Sequence, residues 1–114
     1  MFKGLGGLAD MGKMMKAAQE MQSKVAELQE DLKRITVTGE SGAGLVKATA
    51  TAKGELTGLE IDPSIFTPSE KEVVEDLILA AVKDAQSKAA ERERQEIQAM
   101  TEALGLPPDM KLPV

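Results

Sequence analysis

Apolar side chains recur in alternating steps of three and four from Met11 through Met14, Ala18, Met21, Val25 and Leu28 to Leu32. A seam of about three heptads predicts an α-helix that lays one stripe against another helix or a sheet. The helix is expected from Asp10, a suitable N-cap, to about Lys33, with Lys33 and Arg34 at the negative end of its dipole. Ahead of it, Gly4, Gly6 and Gly7 dilute Leu5 and Leu8, and residues 1–9 are expected to form a mobile N-terminal segment.

After Arg34 the period drops to two. Ile35 to Thr38 alternates, and so does Val46 to Lys53, where Val46, Ala48, Ala50 and Ala52 share one face and Lys47, Thr49, Thr51 and Lys53 the other. A third run, Leu56 to Asp62, sets Thr57, Leu59 and Ile61 on one face. The Gly39 to Gly44 stretch and Lys53-Gly54-Glu55 supply the residues that tolerate positive φ in short antiparallel connections. Three strands so joined form an antiparallel meander, whose middle strand shows a helix only small side chains.

Asp62-Pro63 ends the sheet, and Thr67-Pro68-Ser69-Glu70 predicts a helix start with Thr67 as cap and Glu70 closing a capping box. The second helix runs to about Leu104, where Gly105 and Pro107-Pro108 stop it, leaving 105–114 as a C-terminal tail. A helix of roughly 36 residues spans about 54 Å, whereas strands of six to eight residues cover only about 20 to 27 Å. Its far half must therefore leave the sheet. Ile97, Met100 and Leu104 continue an apolar stripe there, which predicts an arm packed on the first helix or on a partner chain.

Composition sharpens this. The apolar fraction of 42% leans on Ala and seven Met, and Phe2 and Phe66 are the only aromatic residues, so a single α+β domain over 1–114 buries little area for its length. Pairing with a second copy is the expected remedy. Fourteen basic and nineteen acidic residues give a net charge of −5, so any nucleic-acid role needs Lys and Arg gathered on one surface. The absence of Cys excludes disulfides and Cys-based zinc sites, and the longest apolar run, Leu77 to Val82, cannot span a bilayer. A soluble cytoplasmic protein without membrane contact is the expectation.

Without His or Cys the commonest general base, nucleophile and soft-metal ligands are missing, and Glu91, Glu93 and Glu96 lie in a strongly charged, solvated stretch. No catalytic residue, metal, cofactor or small-molecule substrate is assigned. The Gly39 to Gly44 loop lacks a Gly-Lys-Ser/Thr ending and leads into a strand, which makes it a hairpin turn rather than a phosphate cradle. Lys13, Lys16 and Lys24 lie off the apolar seam of the first helix, and Lys88, Arg92 and Arg94 lie on the second. Glu91 and Glu96 stand three or four residues from these second-helix cations, so internal pairing accounts for them as readily as phosphate does.

Several segments together resemble the YbaB/EbfC family of bacterial nucleoid-associated proteins: Met14-Met15-Lys16-Ala17-Ala18-Gln19-Glu20-Met21-Gln22, Gly39 to Ala48, Gly54-Glu55 through Leu59-Glu60-Ile61-Asp62-Pro63-Ser64, and Leu106-Pro107-Pro108. The resemblance covers nearly the whole chain in order. It implies an α-β-β-β-α subunit, a homodimer with projecting helical arms, and binding to double-stranded DNA in the nucleoid. Carried over residue by residue, it makes Lys13, Lys16, Lys24, Lys88, Arg92 and Arg94 the candidate DNA contacts, with Met14, Ala18, Met21, Val25, Leu28 and Leu32 as the dimer or helix-packing seam. Where the family often carries bases before Ile61, this chain has Thr57-Gly58-Leu59-Glu60. The resulting expectation is a DNA-binding homodimer with little sequence preference. The alternative is a homodimeric scaffold that holds other proteins by its Met-rich seam.

Overall fold

A computed structural model describes the backbone of residues 2–106 and the side chains of residues 10–106. Helix α1 (Phe2–Arg34) leads into strands β1 (Thr36–Ser41), β2 (Val46–Thr51) and β3 (Leu56–Ile61), followed by helix α2 (Lys71–Ala103). The sheet order is β1-β2-β3 with both pairings antiparallel. The expected α-β-β-β-α meander is therefore present. Helix α1 begins well before Asp10, running through the early glycines from Phe2.

The first hairpin is tighter than the sequence suggests. Gly39 and Glu40 belong to β1, paired with Ala48 and Lys47, and the turn is made by Gly42, Ala43 and Gly44, all three with positive φ, and Leu45. Gly39 instead serves packing: a Cβ placed there would lie 2.1 Å from the Ala85 backbone nitrogen and 2.5 Å from the Ala81 carbonyl oxygen. The helix backbone rests directly on the strand, an approach that a side chain would prevent.

That contact organises the main core. Ala81, Ala85 and Ala89, spaced one turn apart on α2, are buried on Val46, Ala48 and Ala50 of β2, with Val37, Leu77, Ile78 and Val82 around them. Small residues on both sides bring helix and sheet together, so the core is close-packed yet holds few large side chains. Val46 is its largest fully buried member among the described residues.

In β3 a bulge opposite Thr49 and Ala50 shifts the register, so Leu56 rather than Thr57 stands opposite Ala50. The apolar set on the helix side is thus Leu56, Leu59 and Ile61, a correction to the uninterrupted alternation. Helix α2 lies over β1 and β2 and leaves much of this set uncovered, with Leu56 45% and Leu59 50% exposed.

The start of α2 also differs from expectation. Pro68–Glu70 form a separate 3-10 turn, and neither Thr67 nor Glu70 makes a side-chain capping bond. The other end follows the sequence. Gly105 adopts φ +68°, its N–H donates to the Glu102 carbonyl, and the Leu106 N–H donates to the Thr101 carbonyl. This is a Schellman stop, with glycine in the left-handed position.

Beyond the sheet, α2 meets α1. Ile97 and Met100 pack on Leu28, Leu32 and Ala52 in a second small core. The stripe on the far half of α2 therefore finds the first helix, one of its two expected partners. The rod that overhangs is the N-terminal part of α1: among the described side chains before Leu28, Met21 and Val25 are half-buried and the rest are exposed. The molecule measures 84 × 21 × 17 Å with a radius of gyration of 22.0 Å, against about 13 Å for a compact domain of this length.

Candidate nucleic-acid interface

The six candidate basic residues fall into two groups with different surroundings. On α2 each has a carboxylate at helical spacing. Lys88 Nζ lies 3.1 Å from Asp84 Oδ2, Arg92 Nε lies 2.9 Å from Glu96 Oε1, and Arg94 grips both carboxylate oxygens of Glu91 at 2.5 and 3.1 Å. The Arg94 hydrogen bonds hold the Glu91 carboxyl below its ordinary range, and Glu91 in turn raises the guanidinium pKa. A phosphate approaching these cations must displace a partner already in place.

Lys88 has a second task. Its ammonium donates to the Thr38 carbonyl at 3.2 Å, while Asp84 accepts the Glu40 N–H at 2.9 Å and Ser41 Oγ donates to the Leu77 carbonyl. Thr38 and Glu40 present their backbone groups to the outer side of β1, and α2 side chains take two of these, the Thr38 carbonyl and the Glu40 N–H. The Asp84 carboxyl is held below its ordinary value, first by the Glu40 N–H and then by Lys88. The sequence reading missed Asp84 and Ser41, although the four-residue step from Asp84 to Lys88 signals the ion pair.

On α1 the situation is reversed. Lys13, Lys16 and Lys24 are exposed and make no ion pair among the described residues. At 100° per residue Lys16 lies across the helix from Ala18 and Val25, while Lys13 and Lys24 flank the apolar seam. Residues 2–25 carry four lysines and two carboxylates, leaving a net −7 on the rest of a chain whose total is −5. Positive charge is thus concentrated on the one element that stands away from the acidic body, and its field is partly relieved of that body's opposing charge.

The seam divides in the same way. Leu28 and Leu32 are buried in the junction with α2, whereas Met11 and Met14 are 59% and 71% exposed and Ala18 is exposed as well. Within one chain nothing among the described residues covers that length of helix.

Against known proteins, a family model described as the YbaB/EbfC DNA-binding family matches residues 6–104. A nucleoid-associated protein of Paramagnetospirillum magneticum is 49% identical over 106 residues, 93% of this chain and 99% of that protein. A nucleoid-associated protein of Rhodospirillum rubrum is 43% identical over the same shares of the two chains. The crystal structure of an uncharacterized protein from Helicobacter pylori superposes with a TM-score of 0.62 at 28% identity, covering 88% of this chain and 96% of that one.

Proposed function

The chain belongs to the YbaB/EbfC DNA-binding family, a non-enzymatic family with nucleoid-associated members, and from that premise we propose that it binds double-stranded DNA as a homodimer through the lysine face of α1. The observation that carries this reading is the contrast in pairing: Lys13, Lys16 and Lys24 are exposed without ion-pair partners among the described residues, while Lys88, Arg92 and Arg94 are held by carboxylates. Two arms present six such lysines to the phosphates of a duplex. Lysine on phosphate positions a protein without reading bases, so sequence preference is weak and the nucleoid at large is the target. Helix α2 then serves as scaffold, its cations spent on the fold.

Binding of a labelled duplex over a salt series tests this. If about six phosphates are neutralised, log K falls against log salt with a slope near −5. Charge reversal at Lys13, Lys16 and Lys24 together flattens that slope and abolishes retention, whereas reversal at Arg92 and Arg94 changes it little. A wild-type slope near zero removes the electrostatic mechanism. Equal losses from the two sets remove the distinction between the helices.

A further inference from the structure

We propose that residues 107–114 lie extended along the apolar seam of α1 in their own chain, as a strap over its overhanging length from Met21 toward Met11. This inference stands apart from DNA binding and from the way copies of the chain pair.

The seam is left uncovered at a definite place. Leu77, Asp84 and Lys88 of α2 meet Ser41, Glu40 and Thr38 in that order, and Ile97 and Met100 then pack on Leu28 and Leu32. Each later turn of α2 thus lies against an earlier part of the chain, and the next turn would come to the seam near Val25. There the helix stops, with Gly105 in the left-handed region and the Leu106 N–H bonded to the Thr101 carbonyl. A cleft lined in part by Lys24, Leu28, Ala99 and Met100 opens where the two helices part. The chain therefore leaves α2 at the foot of the exposed seam, below Met21, Ala18, Met14 and Met11.

The segment that follows has the make-up of a cover. Residues 107–114 read Pro-Pro-Asp-Met-Lys-Leu-Pro-Val and hold three of the five prolines of the chain. Proline stops a helix and favours an extended backbone that needs no partner strand. In such a backbone Met110, Leu112 and Val114 fall on one side, with Asp109, Lys111 and Pro113 on the other. Eight extended residues reach about 25 Å, whereas the helix rises only about 15 Å from Met21 to Met11. Apolar side chains recur about every 6 Å along the one and about every 5 Å along the other, close enough for three successive contacts. Methionine, unbranched and flexible, fits an irregular neighbour of this kind.

The rival occupant is the α1 seam of a second copy. Residues 2–25 carry four lysines and two carboxylates, so two such arms repel when they are laid together. The strap brings one Asp and one Lys and no net charge. Its tether also holds it near the seam at an effective concentration of millimolar order, above that of a separate chain in micromolar solution. Lys16, across the helix from the seam, stays in contact with solvent.

The chain has no cysteine, so pairs of introduced cysteines report contact without background. Met14→Cys is combined in turn with Met110→Cys, Leu112→Cys and Val114→Cys, and Lys16→Cys with the same three serves as control. Under mild oxidation of the full chain at low micromolar concentration, at least one Met14 pair is expected to close within a single chain, several-fold faster than any Lys16 pair. Links formed only between chains give the seam to a second copy. Equal rates from both sides of the helix mean random encounter. Either result overturns the strap, and so does a failure of every Met14 pair to link. Independently, hydrogen exchange compares wild type with the full chain carrying Met110→Ser and Leu112→Ser. Amides from Met11 to Met21 are expected to exchange at least threefold faster in the variant, while those from Ala81 to Ala89 keep their rates. Unchanged exchange along α1 overturns the proposal. Should the serine variant lose protection in both helices alike, the cysteine pairs decide by themselves.

Discussion

Helices α1 and α2 are each 33 residues long and carry similar mixtures of apolar and charged side chains, yet they meet opposite fates. In α2 the inward positions are Ala81, Ala85 and Ala89, the facing strand supplies Gly39, and the cations Lys88, Arg92 and Arg94 pair with carboxylates three or four residues away. In α1 the positions that would face inward before Val25 are mostly methionines, only the last turns find a partner, and Lys13, Lys16 and Lys24 make no ion pair among the described residues. An apolar stripe announces burial, but the size of its residues and of those opposite decides whether a sheet can accept it. Likewise, the number of cations on a helix says less about anion binding than whether each is already paired.

The sharpest way to break the contrast is to deny α2 its close approach. Gly39→Val puts side-chain atoms where the α2 backbone now lies, and backbone cannot move aside as a flexible side chain can. A loss of about 3 kcal/mol or more is expected, read as a fall in the urea midpoint. An unchanged midpoint means that helix and sheet do not meet as described.

Next in size is a pair of truncations along one seam. Leu32 is fully buried against Ile97 and Met100, and Leu32→Ala is expected to cost about 2 to 5 kcal/mol. Met14 on the same stripe is 71% exposed, and Met14→Ala is expected to change stability by less than about 0.5 kcal/mol. Equal costs would mean that a second copy covers the whole seam, and the concentration dependence of the Met14→Ala midpoint would reveal it.

These cases show what could be read from the chain beforehand. The element types and their order follow from period and turn chemistry: the steps of three and four that end at Leu32, the alternation from Val46, the Gly105 stop. The exchange of roles between the helices does not follow, because helix length alone says that a rod must overhang and not which one. Gly39 looked like a turn residue because a glycine beside a turn and a glycine beneath a helix carry the same letter. The shift from Thr57 to Leu56 depends on a bulge that no single strand announces. Of the six candidate cations, the pairing of two, Arg92 and Arg94, was visible in the spacing of Glu96 and Glu91, whereas Lys88 takes Asp84 instead. The second contact of Lys88, on the Thr38 carbonyl fifty residues earlier, depends on the tertiary fold.

The smallest effect probes the clamp that α2 has and the α1 arm lacks. Asp84 accepts the Glu40 N–H and pairs with Lys88, and both hold its carboxyl below the ordinary value of 3.8. A carboxyl whose pKa is lower in the folded state than in the unfolded chain adds stability above the unfolded value, and loses it as pH falls through the folded one. Asp84→Asn keeps an oxygen for the Glu40 N–H and removes the charge. The variant should therefore melt slightly below wild type at neutral pH, and the gap should close in the acid range below about pH 4, where wild type loses the same charge. Melting curves of both proteins from neutral to acid pH measure the gap. A constant difference would mean that Asp84 holds β1 by shape and hydrogen bonding alone, and that the β1 edge owes nothing to its ion pair.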